Sequence, residues 1–217
     1  MISPALRACL IAGFALAAAL TPAAAPAQKA GNESRSAEAR QLRAQIRNDP
    51  LAPTAGAKDG DVTVVIFSDY QCPYCRRFDT TLNALVRSDP KVRVVYRDWP
   101  LQGAGSMLAA RAAIAAQYQN KHAAFHAALM QVPVRLDEPT IRQAARTARI
   151  DWNRLQNDMK THKDEIDALL VRNFRYADIM GLEGTPGLMI GSYLIPGLVD
   201  LATLQKTVAR VRKDGGE

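Results

Sequence analysis

A chain of 217 residues is long enough for one domain with a substantial core, or for a domain carrying an insertion. Its ordinary composition, 48% hydrophobic and 23% charged, argues against a disordered chain and against a membrane-spanning one. The net charge of +7 is dispersed, with no basic stripe interleaved with aromatics, which argues against nucleic-acid binding and fits a surface charged for solubility.

Residues 1–27 read as a signal peptide. Arg7 supplies a positive start, Cys9 to Leu20 an apolar segment, and "TPAAAPA" small residues for cleavage near Ala25 or Ala27. The apolar segment is short for a membrane span, and an uncleaved anchor is the alternative. Cleavage removes Cys9 and leaves Cys72 and Cys75, an even count for an exported protein in an oxidising compartment.

Residues 28–60 read as an N-terminal arm and linker. Ala39, Leu42 and Ile46 share one face of a short amphipathic helix, which either packs on its own domain or joins copies into a homo-oligomer through residues 33–48. The Pro/Gly/Ala-rich run up to Gly60 reads as the linker proper. Val62 to Phe67 is a β-branched run typical of a strand covered on both faces. Phe78, Leu82, Leu85 and Val86 then fall at helical spacing, and Val92 to Tyr96 is a second strand, giving a βαβ unit with the cysteines at the helix entry.

Residues 103–180 read as helical throughout, with Asp137 and Pro139 opening one helix, Asp151 capping another, and the last ending at Gly181. Leu188 to Ile190 and Tyr193 to Ile195 flank a Gly191-Ser192 hairpin turn of type II′. Leu201, Leu204, Val208 and Val211 mark a closing helix. The expected architecture is an α/β domain at 61–214, with a βαβ half and a ββα half separated by a helical insertion.

"SDYQCPYCRRF" (Ser68–Phe78) carries the chemistry. A thiol at a helix N-terminus faces unpaired N–H groups and the positive end of the helix dipole, both of which favour thiolate. Cys72 gains most from this, Arg76 and Arg77 add positive charge, and Pro73 suits the first turn. The expected pair is therefore polarised, with Cys72 attacking and Cys75 resolving. A zinc site needs two further ligands. His122 and His126 share a helix face but lack the glutamate of a zinc-protease motif, and read as packing or surface residues. His162 reads as an isolated surface residue. No metal or other cofactor is expected, although two-coordinate copper(I) on the thiolates suits soft ligands. A structural disulfide constrains little when its loop spans four residues.

Cys72-Pro-Tyr-Cys75 after a buried strand, together with "GLEGTPGLMIGSYLIPG" (Gly181–Gly197), resembles the exported DsbA-like thiol:disulfide oxidoreductases of thioredoxin fold. The resemblance covers about residues 61–212 and implies a periplasmic enzyme that exchanges disulfides with exported, cysteine-containing proteins. It also implies a membrane partner, either a quinone-linked oxidase or a thiol donor. Thr185-Pro186 becomes the cis-proline site, with Thr185, Pro186, Pro73 and Tyr74 contacting substrate. Tyr74 stands where the best-known oxidase has histidine, and Thr185 resembles the isomerase-like branch, so a disulfide isomerase or reductase of oligomeric form is the alternative. A non-redox chaperone using the Pro186 groove, or a copper(I) carrier, is a further alternative. A glutaredoxin shares Cys-Pro-Tyr-Cys but not the signal segment or the long insertion. The acid that thioredoxins place six residues before the first cysteine is Ile66 here, which leaves Asp69 as the candidate for a proton role. Tyr70 either lines the substrate contact or covers the core edge.

Overall fold

The β-branched run at Val62 forms strand β2 (Val62–Ser68), and the following one forms β3 (Val92–Asp98), parallel to it in register from Val62 beside Val92 to Ser68 beside Asp98. Helix α2 (Pro73–Ser88) connects them. This computed structural model describes residues 25–132 and 135–216. The signal segment lies outside the described residues up to position 24.

Strand β4 (Gly187–Ile190) pairs antiparallel with β2, and β5 (Tyr193–Pro196) returns against β4. Gly191 turns this hairpin at φ 56°, a backbone region that favours glycine. One face of the sheet packs Val64, Ile66, Val94 and Leu188 against Phe78, Leu82 and Leu85 of α2. Leu204, Val208 and Val211 of α8 (Leu201–Lys213) complete that layer. The other face, with Val65, Phe67 and Val95, packs against the insertion. Covered on both sides, β2 shows no apolar/polar alternation.

The insertion consists of α3 (Ala104–Ala115) and a short 3₁₀ turn (Ala116–Gln119), then α4 (His122–Met130), α5 (Glu138–Thr147), α6 (Trp152–Thr161) and α7 (Lys163–Ile179). Ala109, Ala110, Ala112, Ala113, Ala115 and Ala116 are all buried. Their small side chains let α3 sit in the middle of the group, apolar on nearly every side. Asp137 and Asp151 accept the backbone N–H groups of Thr140 and Arg154 and so cap α5 and α6.

The linker expectation for residues 28–60 needs correction in two places. The N-terminal helix α1 (Ala25–Arg47) is longer than the short helix predicted, and Thr54–Gly56 forms a fifth strand, β1, antiparallel to β3 at the sheet edge. The full order is β1-β3-β2-β4-β5. Three residues carry too little pattern to announce a strand, and backbone pairing to β3 holds it. A Cβ on Gly56, at φ 73°, would stand 2.4 Å from the Val92 carbonyl oxygen, so glycine is needed there.

The chain divides into two units between Ala39 and Arg40. Within the second, Leu42 is partly buried and Ile46 wholly buried in the core, so this end of α1 belongs to the domain. Arg97 of β3, wholly buried, holds it there. Its guanidinium donates to the carbonyls of Gln45 and Ile46, to Asp49 Oδ2 at 3.0 Å and to Asn173 Oδ1 at 3.1 Å. Those carbonyls are among the last four of α1, which lack partners within the helix. Arg172 grips the same Asp49 carboxylate through two hydrogen bonds, at 2.8 and 3.1 Å.

Candidate active site

Three segments meet at the carboxyl ends of the central strands: the loop after β2, the first turn of α2, and the turn entering β4. Cys72 is the N-cap of α2 and Pro73 its first residue, with Cys75 one turn inward. Both sulfurs are buried and reduced. The Cys72 thiol donates to the Thr185 carbonyl at 3.3 Å, and the Thr185–Pro186 peptide is cis. Pro186 is buried and Thr185 half-buried, whereas Pro73 and Tyr74 are exposed, Tyr74 to 55%.

This geometry polarises the pair. Hydrogen bonding to Cys75 is the main influence holding the Cys72 thiol down, to about 5; burial opposes it, while the Thr185 side chain and the N–H groups of Cys75 and Tyr74 assist. The same contact drives Cys75 the other way, because a thiol that donates to a neighbouring thiolate holds its proton, and burial adds to the rise. Arg76 donates to the Tyr70 carbonyl at 2.9 Å and interacts with the charges on Asp69 and Cys72. Arg77 is exposed.

Asp69 is buried and spends its acceptor capacity on the loop. Oδ1 takes the Gln71 N–H at 2.7 Å and the Ser106 hydroxyl at 2.6 Å; Oδ2 takes the N–H groups of Leu101 and Gln102 at 2.7 and 2.9 Å. Four donors fill the sites of one carboxylate. Asp69, the candidate for a proton role, thereby ties the cysteine loop to the start of the insertion. Gln71 reinforces the tie, donating to Gln102 O and Ser106 Oγ and accepting from Leu136 N.

Sequence reasoning missed the polar cluster behind the pair. Tyr70 is 1% exposed and so belongs to the interior. Its hydroxyl lies 3.0 Å from His126 Nδ1, and His126 Nε2 lies 3.1 Å from Asp79 Oδ1, whose other oxygen accepts from Asn83. The carboxylate makes Nε2 the protonated nitrogen, so Nδ1 accepts from Tyr70. Neither His122 nor His126 is a surface residue; both are buried beside Tyr96. His162 is not isolated either, since its ring stacks on Tyr118 at 3.7 Å. Asp79 falls four residues after Cys75, a spacing that puts the two on one helix face and was the available signal. At Gly187, a Cβ would come within 2.8 Å of Leu182 Cδ2, so Leu182 supplies the bulk on that side of the site.

A thioredoxin family model matches residues 49–210. The chain belongs to the DsbA-like thioredoxin family. Its fold superimposes on a thioredoxin-like oxidoreductase from Silicibacter pomeroyi with a TM-score of 0.76 and 44% identity, covering 79% of this chain and 98% of that one. A periplasmic thioredoxin-like protein from Salmonella enterica gives 0.71 and 32%, covering 80% and 97%. The thiol-disulfide exchange protein alpha-DsbA2 of Wolbachia pipientis gives 0.76 and 27%, covering 84% and 98%. Among curated proteins, the Na(+)/H(+) antiporter NhaA 3 of Salinispora tropica is 26% identical over 169 residues, 74% of this chain. The chain spans 26% of that antiporter's length, and among the described residues no helix is long and apolar enough to cross a membrane. The chain carries the CxxC pair of a DsbA-like thiol:disulfide oxidoreductase, Cys72 and Cys75.

Proposed function

We propose that this DsbA-like protein works in the periplasm, where it passes the Cys72–Cys75 disulfide to cysteines of exported proteins. The observation that supports this reading is the polarised pair, with Cys72 held down to about 5 and Cys75 pushed up. At pH 7 such a thiol is almost wholly ionised, about 30-fold more than an ordinary one of pKa about 8.5. The lower basicity costs roughly 25- to 55-fold in intrinsic nucleophilicity at a Brønsted slope of about 0.4–0.5. The two effects nearly cancel for attack. What remains is a fast leaving group and a stabilised reduced form, and both favour a pair that gives its disulfide away.

In the catalytic cycle a substrate thiolate attacks Cys72 sulfur, the Cys72–Cys75 bond breaks, and Cys75 leaves to be protonated. A second substrate thiolate then displaces Cys72 as a thiolate. Once its sulfur carries no proton, Cys72 no longer donates to the Thr185 carbonyl, which is free to accept an N–H from an extended substrate strand. Exposed Tyr74 and Leu101 flank the site, with Phe174 beyond Trp99, and offer apolar contact to an unfolded chain. A membrane partner, quinone-linked for an oxidase or a thiol donor for a reductase, resets the pair. The second reading, an isomerase assembled through residues 33–48, rests on the 23-residue length of α1, which exceeds what the sequence pattern predicted.

Equilibration of the pair with glutathione tests the direction. The oxidase reading expects a potential near about −120 mV; about −180 mV favours the isomerase, and about −270 mV a reductase.

A further inference from the structure

A buried polar atom without a partner is rare and costly, and helix α4 carries two of them on one ring. His122, the first residue of α4, is 6% exposed, and neither ring nitrogen has a hydrogen-bond partner among the described residues. Its ring centre lies 5.2 Å from that of Tyr96 on β3 and 5.7 Å from that of His126, one turn further along the helix. His126 in turn fastens α4 to the redox loop. It meets the hydroxyl of Tyr70, two residues before Cys72, at 3.0 Å, and Asp79 of α2 at 3.1 Å. The docked face of α4 thus backs the cysteine loop, and an unpartnered imidazole sits within that face.

Nothing around His122 answers a positive charge. Burial is the main cause that holds its pKa well below the ordinary histidine value, and a proton on His126, of like charge, works the same way. Its place in the first turn of α4, the positive end of the helix dipole, disfavours the imidazolium further. Helix α4 packs against α2, α3, α5 and the 3₁₀ turn. On α2, Asp79 is taken by His126 and Asn83, and Arg76 by the Tyr70 carbonyl. Arg111 of α3 pairs with Asp167, and Tyr118 of the 3₁₀ turn donates to Glu165. Glu138, Arg142 and Arg146 of α5 are exposed. On β3, Asp98 is buried and keeps its proton, since burial raises it to about 8.

We propose that α4 is an acid-released flap: protonation of His122 frees the helix from the sheet and from Tyr70, and the redox loop loses its backing. The sign follows from linkage. The docked helix holds His122 neutral, whereas an undocked His122 in water takes a proton at about pH 6.5. The undocked form then binds more protons, so docking is fully favoured above that pH. Below it, docking weakens about tenfold per pH unit until the docked ring itself titrates. Complete unfolding would mask this, because Asp98 holds in the fold a proton that the unfolded chain releases above about pH 3.9, an effect of opposite sign. Local opening leaves Asp98 on its strand. The release of α4 stands on the helix alone; the loss of activity that follows rests on the exchange reading of the pair.

Amide hydrogen exchange of the full chain, chemically reduced and without substrate, tests the release. After correction for the intrinsic exchange rate at each pH, protection across His122–Met130 should fall about tenfold between pH 6 and pH 5, while β2 and β3 keep theirs. His122→Phe keeps a ring against Tyr96 and takes no proton, so α4 should stay protected over the same range; His122→Leu is the second variant should the larger ring disturb packing. Protection that does not fall in the wild type, or that falls as steeply in the variants, would overturn the proposal. Ellman's reagent reads the site. The ratio of wild-type to variant rates cancels the ionisation of Cys72; it should be close to one at pH 7 and drop as α4 opens. A ratio that stays at one while α4 opens would overturn the link to the redox loop. If no protein reacts with the reagent at any pH, the exchange reading itself fails, and hydrogen exchange still decides α4.

Discussion

Cys72→Ser abolishes oxidation of a reduced dithiol peptide, whereas Cys75→Ser, offered a disulfide peptide, attacks it through Cys72, releases one peptide thiolate and stops half-way as a mixed disulfide. The asymmetry follows from position. Cys72 caps α2, where the Cys75 thiol above all, then the Thr185 side chain and the N–H groups of Cys75 and Tyr74, stabilise its thiolate. Cys75 lies one turn inward, keeps its proton against that thiolate and meets substrate only through Cys72. Mass spectrometry of the intact protein after exposure to a disulfide peptide should find the adduct on Cys75→Ser and none on Cys72→Ser. The opposite pattern would reverse the two roles. Activity of Cys72→Ser above the uncatalysed background would remove the nucleophile assignment altogether.

The second large effect concerns stability and lies away from the cysteines. Arg97→Met should destabilise the protein by about 3–5 kcal/mol, the usual range when one member of a buried ion pair is deleted. For a domain of this size that corresponds to a fall in Tm of roughly 6–20 °C. The substitution strips the Gln45 and Ile46 carbonyls of their donor, leaves Asn173 Oδ1 unmatched and weakens the hold on Asp49. Arg172→Met should cost much less, about 1 kcal/mol, because the Arg172 side chain is 34% exposed and its pairing is screened by water. Thermal unfolding of the two variants decides it, and equal shifts would contradict the role given to burial at Arg97.

Patterns that repeat along the chain exposed most of this fold in the sequence. The β-branched runs of β2 and β3 mark strands covered on both faces, and the apolar spacing in α2 and α8 marks the helices that cover one of them. Asp137 and Asp151 are cap signals with a local mechanism, and the structure uses both as caps. By contrast β1, three residues held by backbone bonds, leaves no side-chain pattern to read. The cysteine pair was legible for the same local reason as the caps, since the groups that shape Cys72 lie mostly within its own helix turn. The cluster behind it was not. Tyr70, Asp79, Asp98 and His126 come from a loop, two helices and a strand, and their burial and mutual contacts are products of the tertiary fold. Asp69 shows both sides: its place beside the cysteines is plain in the sequence, while its donors, chiefly from residues 101–106, are supplied by the tertiary fold.

All of the chemistry depends on one thiol being ionised while its neighbour is not. The sign is fixed by the direction of the shift: a thiol held below its ordinary value stabilises the reduced fold fully above about pH 8.5, and that contribution is lost as pH falls through the folded value. Thiolate absorbance of the reduced protein, followed against pH with Cys72→Ser as the blank, measures this directly. One thiolate per chain should appear with a midpoint near pH 5 and persist to neutral pH, without a second step in the ordinary thiol range. Two thiols titrating together at ordinary values would contradict the polarised pair and the disulfide chemistry built on it.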